Sequence, residues 1–131
     1  MLQSLSFSLL VRLAITLGFV LVVIILSVTP GKGQVGDSAF VWLVANTPTP
    51  LQKIMHVVIY AALVVLWAWT LEAIASRNLR LFLAFVMAVS IGSALEWYQT
   101  QVPGRFGTLV DALLNVVGAI VGLVVALLIL L

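Results

Sequence analysis

Eight residues of this chain combine reactive or ion-binding side chains with helical spacing. They are Lys53, His56 and Tyr60 in "QKIMHVVIY", and Glu96, Gln99, Arg105, Asp111 and Asn115 in "SALEWYQTQVPGRFGTLVDALLNVVGAIVG". Glu96, Asp111 and His56 are the candidate acid and base groups, since a carboxylate and an imidazole held below lipid headgroups can exchange protons with a ligand. Lys53 and Arg105 are candidate cationic donors for a phosphate or carboxylate, and the arginine is capable of a two-pronged grip. Tyr60, Gln99 and Asn115 would orient the others. His56, Glu96 and Asp111 are also possible ligands of a divalent ion, but no His-x-x-x-His or comparable spacing supports one, so no metal is expected. No Gly-rich phosphate loop and no serine nucleophile motif is present, and no cofactor is expected.

Helical spacing sorts these residues onto faces. Lys53, His56 and Tyr60 stand at i, i+3 and i+7, on a stripe that continues through Leu63 and Trp67. Ser93, Glu96 and Gln99 follow one another by threes and are expected on one side of their helix. Asp111, Asn115, Gly118 and Gly122 form a third stripe, and its GxxxG would let a neighbouring helix approach closely.

The elements that must hold these groups are membrane helices. Charged residues make up 8% of the chain and hydrophobic ones 64%, whereas a soluble domain carries about 25% charged residues. Apart from tyrosine, nothing ionisable lies between Arg12 and Lys32, or within 57–71, 81–95 and 112–131. Four such runs predict an all-α integral membrane bundle of four spans, in one domain covering 1–131. The alternation of a membrane barrel is missing. Span one is expected at about Leu9 to Val28, ending at "TPGKG", and is read as a retained span because no small-x-small cleavage pattern follows it. "AFVWLVA", Ala39 to Ala45, is too short to cross and is expected to lie in the interface or re-enter slightly, with Trp42 as anchor. Span two is expected at about Ile54 to Leu71, span three at about Leu79 to Gln99, and span four over the rest. The chain has no cysteine, and its formal charge of +2 is too small and scattered for nucleic acid.

An even number of spans brings the start of span two, the end of span three and the start of span four to one membrane face. All eight residues converge there. The other face has Arg12, Glu72, Arg77 and Arg80, read as an ordinary surface turn with Arg80 snorkelling on its long stem. Arg12, Arg77 and Arg80 favour a cytoplasmic location for that end, hence N-in and C-in with the polar site outside. The runs 57–71 and 81–95 each amount to about 22 Å of helix against a hydrocarbon core of about 30 Å, which draws His56 and Glu96 below the interface.

Two readings of this cluster compete. Asn115, Ser93 and Gln99 can serve as hydrogen-bonded ties between helices, at roughly 0.6 kcal/mol each. A carboxylate at mid-membrane costs about 2.5–3.5 kcal/mol on insertion scales, more than one tie offsets. Glu96, Asp111 and Arg105 are therefore read first as a pocket and second as a structural clasp.

The run "LEWYQTQVPGRFGTLVDALLNVVGAIVG" resembles the VanZ-like family. It shows an acid (Glu96), a glutamine three residues on (Gln99), a Pro-x-Arg turn (Pro103 to Arg105), an aspartate and asparagine four apart (Asp111, Asn115), and Gly118-Ala119 to Gly122. The family's earlier motif is matched by Lys53, His56 and Tyr60, with Gln52 where an aspartate is usual. The resemblance covers about residues 28 to 122. It implies a small bacterial inner-membrane protein with a cell-envelope role, in a family named for low-level resistance to teicoplanin, and it supplies no reaction.

The expectation is thus a bacterial inner-membrane envelope protein whose outward-facing pocket binds, with or without turnover, an anionic lipid or lipid-linked wall precursor. One rival is a non-enzymatic binding or shielding protein of the membrane surface. Another is a small multidrug-type transporter, disfavoured because span one carries no acid.

Overall fold

A computed structural model describes residues 8–28, 39, 49–101 and 109–130. Within them the chain forms four helices: α1 Leu9–Val28, α2 Thr49–Thr70, α3 Arg77–Gln99 and α4 Leu109–Ile129. All four are long and apolar enough to cross a membrane, and among the described residues there is no strand. The expected four-span, all-helical architecture is therefore observed. Of the expected interfacial segment only Ala39 is described; Trp42 and the rest of that segment lie outside the described residues.

The first span has the predicted bounds. α2 and α3 begin earlier than their apolar runs suggest, because a helix at the membrane boundary tolerates polar residues that an apolar run excludes. Pro50 sits in the first turn of α2, where its missing N–H is not needed. Ser76 caps α3, its hydroxyl accepting from the Leu79 amide at 3.3 Å.

α2 is the hub. It packs on α1, α3 and α4, while α1 and α4 each lean mainly on α2 and α3. Small residues set how close the helices come. A Cβ on Gly118 would lie 2.6 Å from the Val57 carbonyl oxygen, and one on Gly122 2.6 Å from that of Ala61. The GxxxG of α4 is thus the seat of a backbone-to-backbone contact with α2, and the pairing of 118 with 57 and 122 with 61 makes these two helices run in the same direction. Leu63, Val64 and Ala68 of α2, Ala84 and Ala88 of α3, and Ala119 and Ala126 of α4 fill the centre. The outward faces remain apolar, with Leu10, Leu17, Phe82, Leu113 and Leu128 among the exposed side chains. Helices apolar all round belong in lipid.

The end formed by the start of α1, the end of α2 and the start of α3 departs from expectation. Arg80 does not snorkel and Arg12 is not a surface residue; they are 5% and 6% exposed. Arg12 donates to the Trp69 carbonyl at 2.8 Å, and Arg80 Nε donates to the Ala68 carbonyl. Both carbonyls belong to the last turn of α2, where intrahelical donors run out. Arg12 also pairs with Glu72 and lies 5.2 Å from the centroid of a Trp69 ring. One turn further in, the Thr16 and Thr70 hydroxyls are 2.6 Å apart, and Thr70 donates to the Leu66 carbonyl at 2.8 Å. Two guanidinium groups close this end by capping α2, with the positive charge its dipole favours.

Candidate functional site

At the opposite end, the last turns of α1 and α3 and the first turns of α2 enclose a cavity of about 100 Å³. α1 contributes Val23, Leu26 and Ser27. α2 contributes Gln52, Met55, His56, Ile59 and Tyr60, and α3 contributes Leu95, Glu96 and Gln99. Of the eight residues singled out from spacing, His56, Tyr60, Glu96 and Gln99 share this cavity. Glu96 is buried, at 8% exposure.

Asn115 joins the site from α4. Its side-chain oxygen lies 2.7 Å from Nδ1 of His56. An amide oxygen only accepts, so Nδ1 carries the hydrogen, and in the neutral imidazole Nε2 is the acceptor. The His56 ring lies nearly parallel to that of Tyr60, at 7° between planes and 6.4 Å between centroids. Gly92 of α3 makes the arrangement possible. A Cβ there would stand 2.7 Å from Cε1 of Tyr60 and 3.1 Å from Nδ2 of Asn115. Gln99 donates to the Ser27 carbonyl at 3.2 Å, which ties the ends of α3 and α1 together.

The remaining predicted residues stand elsewhere. Lys53 is exposed and does not line the cavity; Gln52, one position earlier, takes that wall. Asp111 is half-buried in the first turn of α4, where a carboxylate suits the helix dipole, and it too is not a lining residue. Arg105 lies outside the described residues. Ser93 is exposed, and Gly92 takes the buried place beside Glu96 and Gln99. Successive steps of three rotate each position by about 60°, so residues 93, 96 and 99 spread over about 120° and cannot share one buried face.

Two polar lining residues, Gln52 and Ser27, escaped the spacing argument. Gln52 stands four residues before His56, one turn earlier on the same face, and that register was the available signal. Its place in the wall makes position 52 a cavity residue and not a helix cap. Ser27 contributes through its backbone carbonyl as well as its position, which no side-chain pattern announces.

Chemically, the cavity offers an imidazole held by Asn115 and a buried carboxylate, beside apolar side chains. Among the described residues, no three His, Asp or Glu side chains come together as metal ligands would. The chain matches no family model, no curated protein and no solved structure.

Proposed function

We propose that this is a bacterial inner-membrane protein of the cell envelope, N-in and C-in, whose cavity opens toward the outer face and binds the headgroup of an anionic lipid or lipid-linked wall precursor. The observation that carries the reading is the placement of Glu96 and His56 in one cavity at one end of a bundle whose centre is apolar. A buried carboxylate is costly in a membrane, and such residues mark ligand or ion sites by default. Lys53, in the second turn of α2, and Arg105 would meet the phosphate at the mouth of the cavity. Glu96 would act as acid or base with His56 as its partner, while Asp111 would steady the start of α4. Val23, Leu26, Met55, Ile59 and Leu95 provide an apolar wall suited to the first methylenes of an acyl or prenyl chain. The resemblance to VanZ-like proteins adds the envelope setting and the link to glycopeptide response.

That same apolar wall favours a second reading, in which the lipid is held without turnover and the protein shields the membrane surface. Mass spectrometry of envelope lipids and wall precursors separates the two. The comparison uses a deletion strain carrying wild-type, Glu96→Gln or Arg105→Ala protein at matched levels. A lipid species that changes with wild-type but not with Glu96→Gln marks turnover and identifies the substrate. Unchanged lipids, with a glycopeptide phenotype abolished by Arg105→Ala and kept by Glu96→Gln, mark holding. Full activity of both variants would refute the site.

A further inference from the structure

The closed end of the bundle holds more positive charge than its hydrogen bonds use. Among the described residues, Arg12, Arg77 and Arg80 stand there against one carboxylate, that of Glu72. Arg12 is engaged: it donates to the Trp69 carbonyl, pairs with Glu72 and lies against the Trp69 ring. Arg80, at 5% exposure, donates through Nε to the Ala68 carbonyl. Its two terminal nitrogens have no hydrogen-bond partner among the described residues, and neither is shut off from the surface. One carboxylate does not neutralise two buried guanidinium groups, and an uncompensated buried charge is costly.

The local geometry says where a compensating anion fits. With Nε held, the two terminal nitrogens of Arg80 form a preset fork that matches two phosphate oxygens. Helical side chains lean toward the N-terminus of their helix, so this fork lies over the turn that begins α3. There the amides of Arg77 and Asn78 have no partner among the described residues, because Ser76 takes those of Leu79 and Arg80. Arg77 is exposed one turn before Arg80, on the same side of the helix. Free amides at the positive end of a helix dipole favour a phosphate. Leu79 and Phe82, exposed on α3, offer apolar surface to the chains of a lipid whose headgroup sits at that turn.

We propose that the start of α3 binds a phosphate group, gripped by the Arg80 fork and met by Arg77 and the two free amides. In the bilayer its source is an anionic phospholipid of the leaflet at that end. The excess of arginine favours such a lipid over a zwitterionic one, whose ammonium cancels the phosphate charge. This site is at the opposite end from the cavity and stands whether or not the cavity binds lipid.

The test uses full-length protein in neutral detergent, in an Arg105→Ala background that removes the phosphate contact proposed for the cavity. Phosphatidylglycerol, phosphatidylcholine or inorganic phosphate is added, and retention in native mass spectrometry and unfolding stability are read. Phosphatidylglycerol is expected to be retained and to stabilise, and phosphatidylcholine to do so less. Arg77→Ala should weaken phosphatidylglycerol retention about fivefold, as loss of one cationic contact near a membrane surface implies. Arg77 is exposed, so stability without lipid should not change. Glu72→Gln removes the competing carboxylate and should tighten retention by a similar factor, a gain that a merely damaged protein cannot give. Stabilisation by inorganic phosphate that needs Arg77, with none by phosphatidylglycerol, would keep the phosphate site and overturn its lipid source. Equal retention of the two lipids, or phosphatidylglycerol retention unmoved by either substitution, overturns the site.

Discussion

The two ends of the bundle use similar polar residues to opposite effect. At one end Arg12, Arg80 and Thr70 give donors to α2 itself, on the carbonyls of Trp69, Ala68 and Leu66, and Thr16 gives its hydrogen to Thr70. At the other, the hydrogen bonds His56 to Asn115 and Gln99 to Ser27 join α2 to α4 and α3 to α1 around the cavity. The first end is closed over the helix terminus. The second has a cavity with a carboxylate in its wall. Polar groups of this bundle thus differ in where their hydrogen bonds go: at the closed end they answer a backbone deficit of α2, and at the other they tie helices together beside a cavity.

Substitutions at the two ends should separate accordingly, and the largest effect is expected at the closed one. Arg80→Ala strips the Ala68 carbonyl of a charged donor inside the bundle, and stability should fall by about 2–3 kcal/mol. Unfolding in a mixed-detergent titration measures it; a change near zero would mean that water or lipid replaces the arginine freely. Next is Gly122→Ala. Its methyl would meet the Ala61 carbonyl oxygen at 2.6 Å, so α2 and α4 must part, at about 1–3 kcal/mol. The same titration, with cross-linking between cysteines placed on α2 and α4, should show the helices further apart. Thr16→Val removes one tie to Thr70 and should cost about 1 kcal/mol or less. Smallest in stability is Glu96→Gln, where removing a charge from a buried site offsets whatever bonds the carboxylate makes. A change within about 0.5 kcal/mol is expected, with loss of lipid turnover.

Much of this arrangement was legible in the sequence, for physical reasons. Charge is expensive in hydrocarbon, so the runs without it outlined four spans, and α1 has the bounds expected for span one. Helical periodicity brought His56, Tyr60, Glu96 and Gln99 to one place because positions three, four or seven apart lie on one side of a helix. The same periodicity misassigned Ser93, since steps of three drift around the helix; Gly92, seven before Gln99, falls within about 20° of it. Hydropathy could not disclose the role of Arg12 and Arg80. A long cationic side chain near a span end serves equally well at a surface or as a cap, and the outcome depends on which helix terminus the fold brings beside it. Gln52 was overshadowed by its charged neighbour Lys53, though burial follows the face of the helix and not the formal charge.

The most direct test sets Glu96→Gln against Arg80→Ala in one experiment, measuring unfolding stability and envelope-lipid profile for each protein at matched membrane levels. The division of the two ends predicts that Glu96→Gln is as stable as wild type and functionally silent, whereas Arg80→Ala is destabilised and keeps its activity in the fraction that remains folded. A Glu96→Gln protein that loses stability as Arg80→Ala does, yet restores the wild-type lipid profile when folded, would make Glu96 a structural clasp and contradict the site.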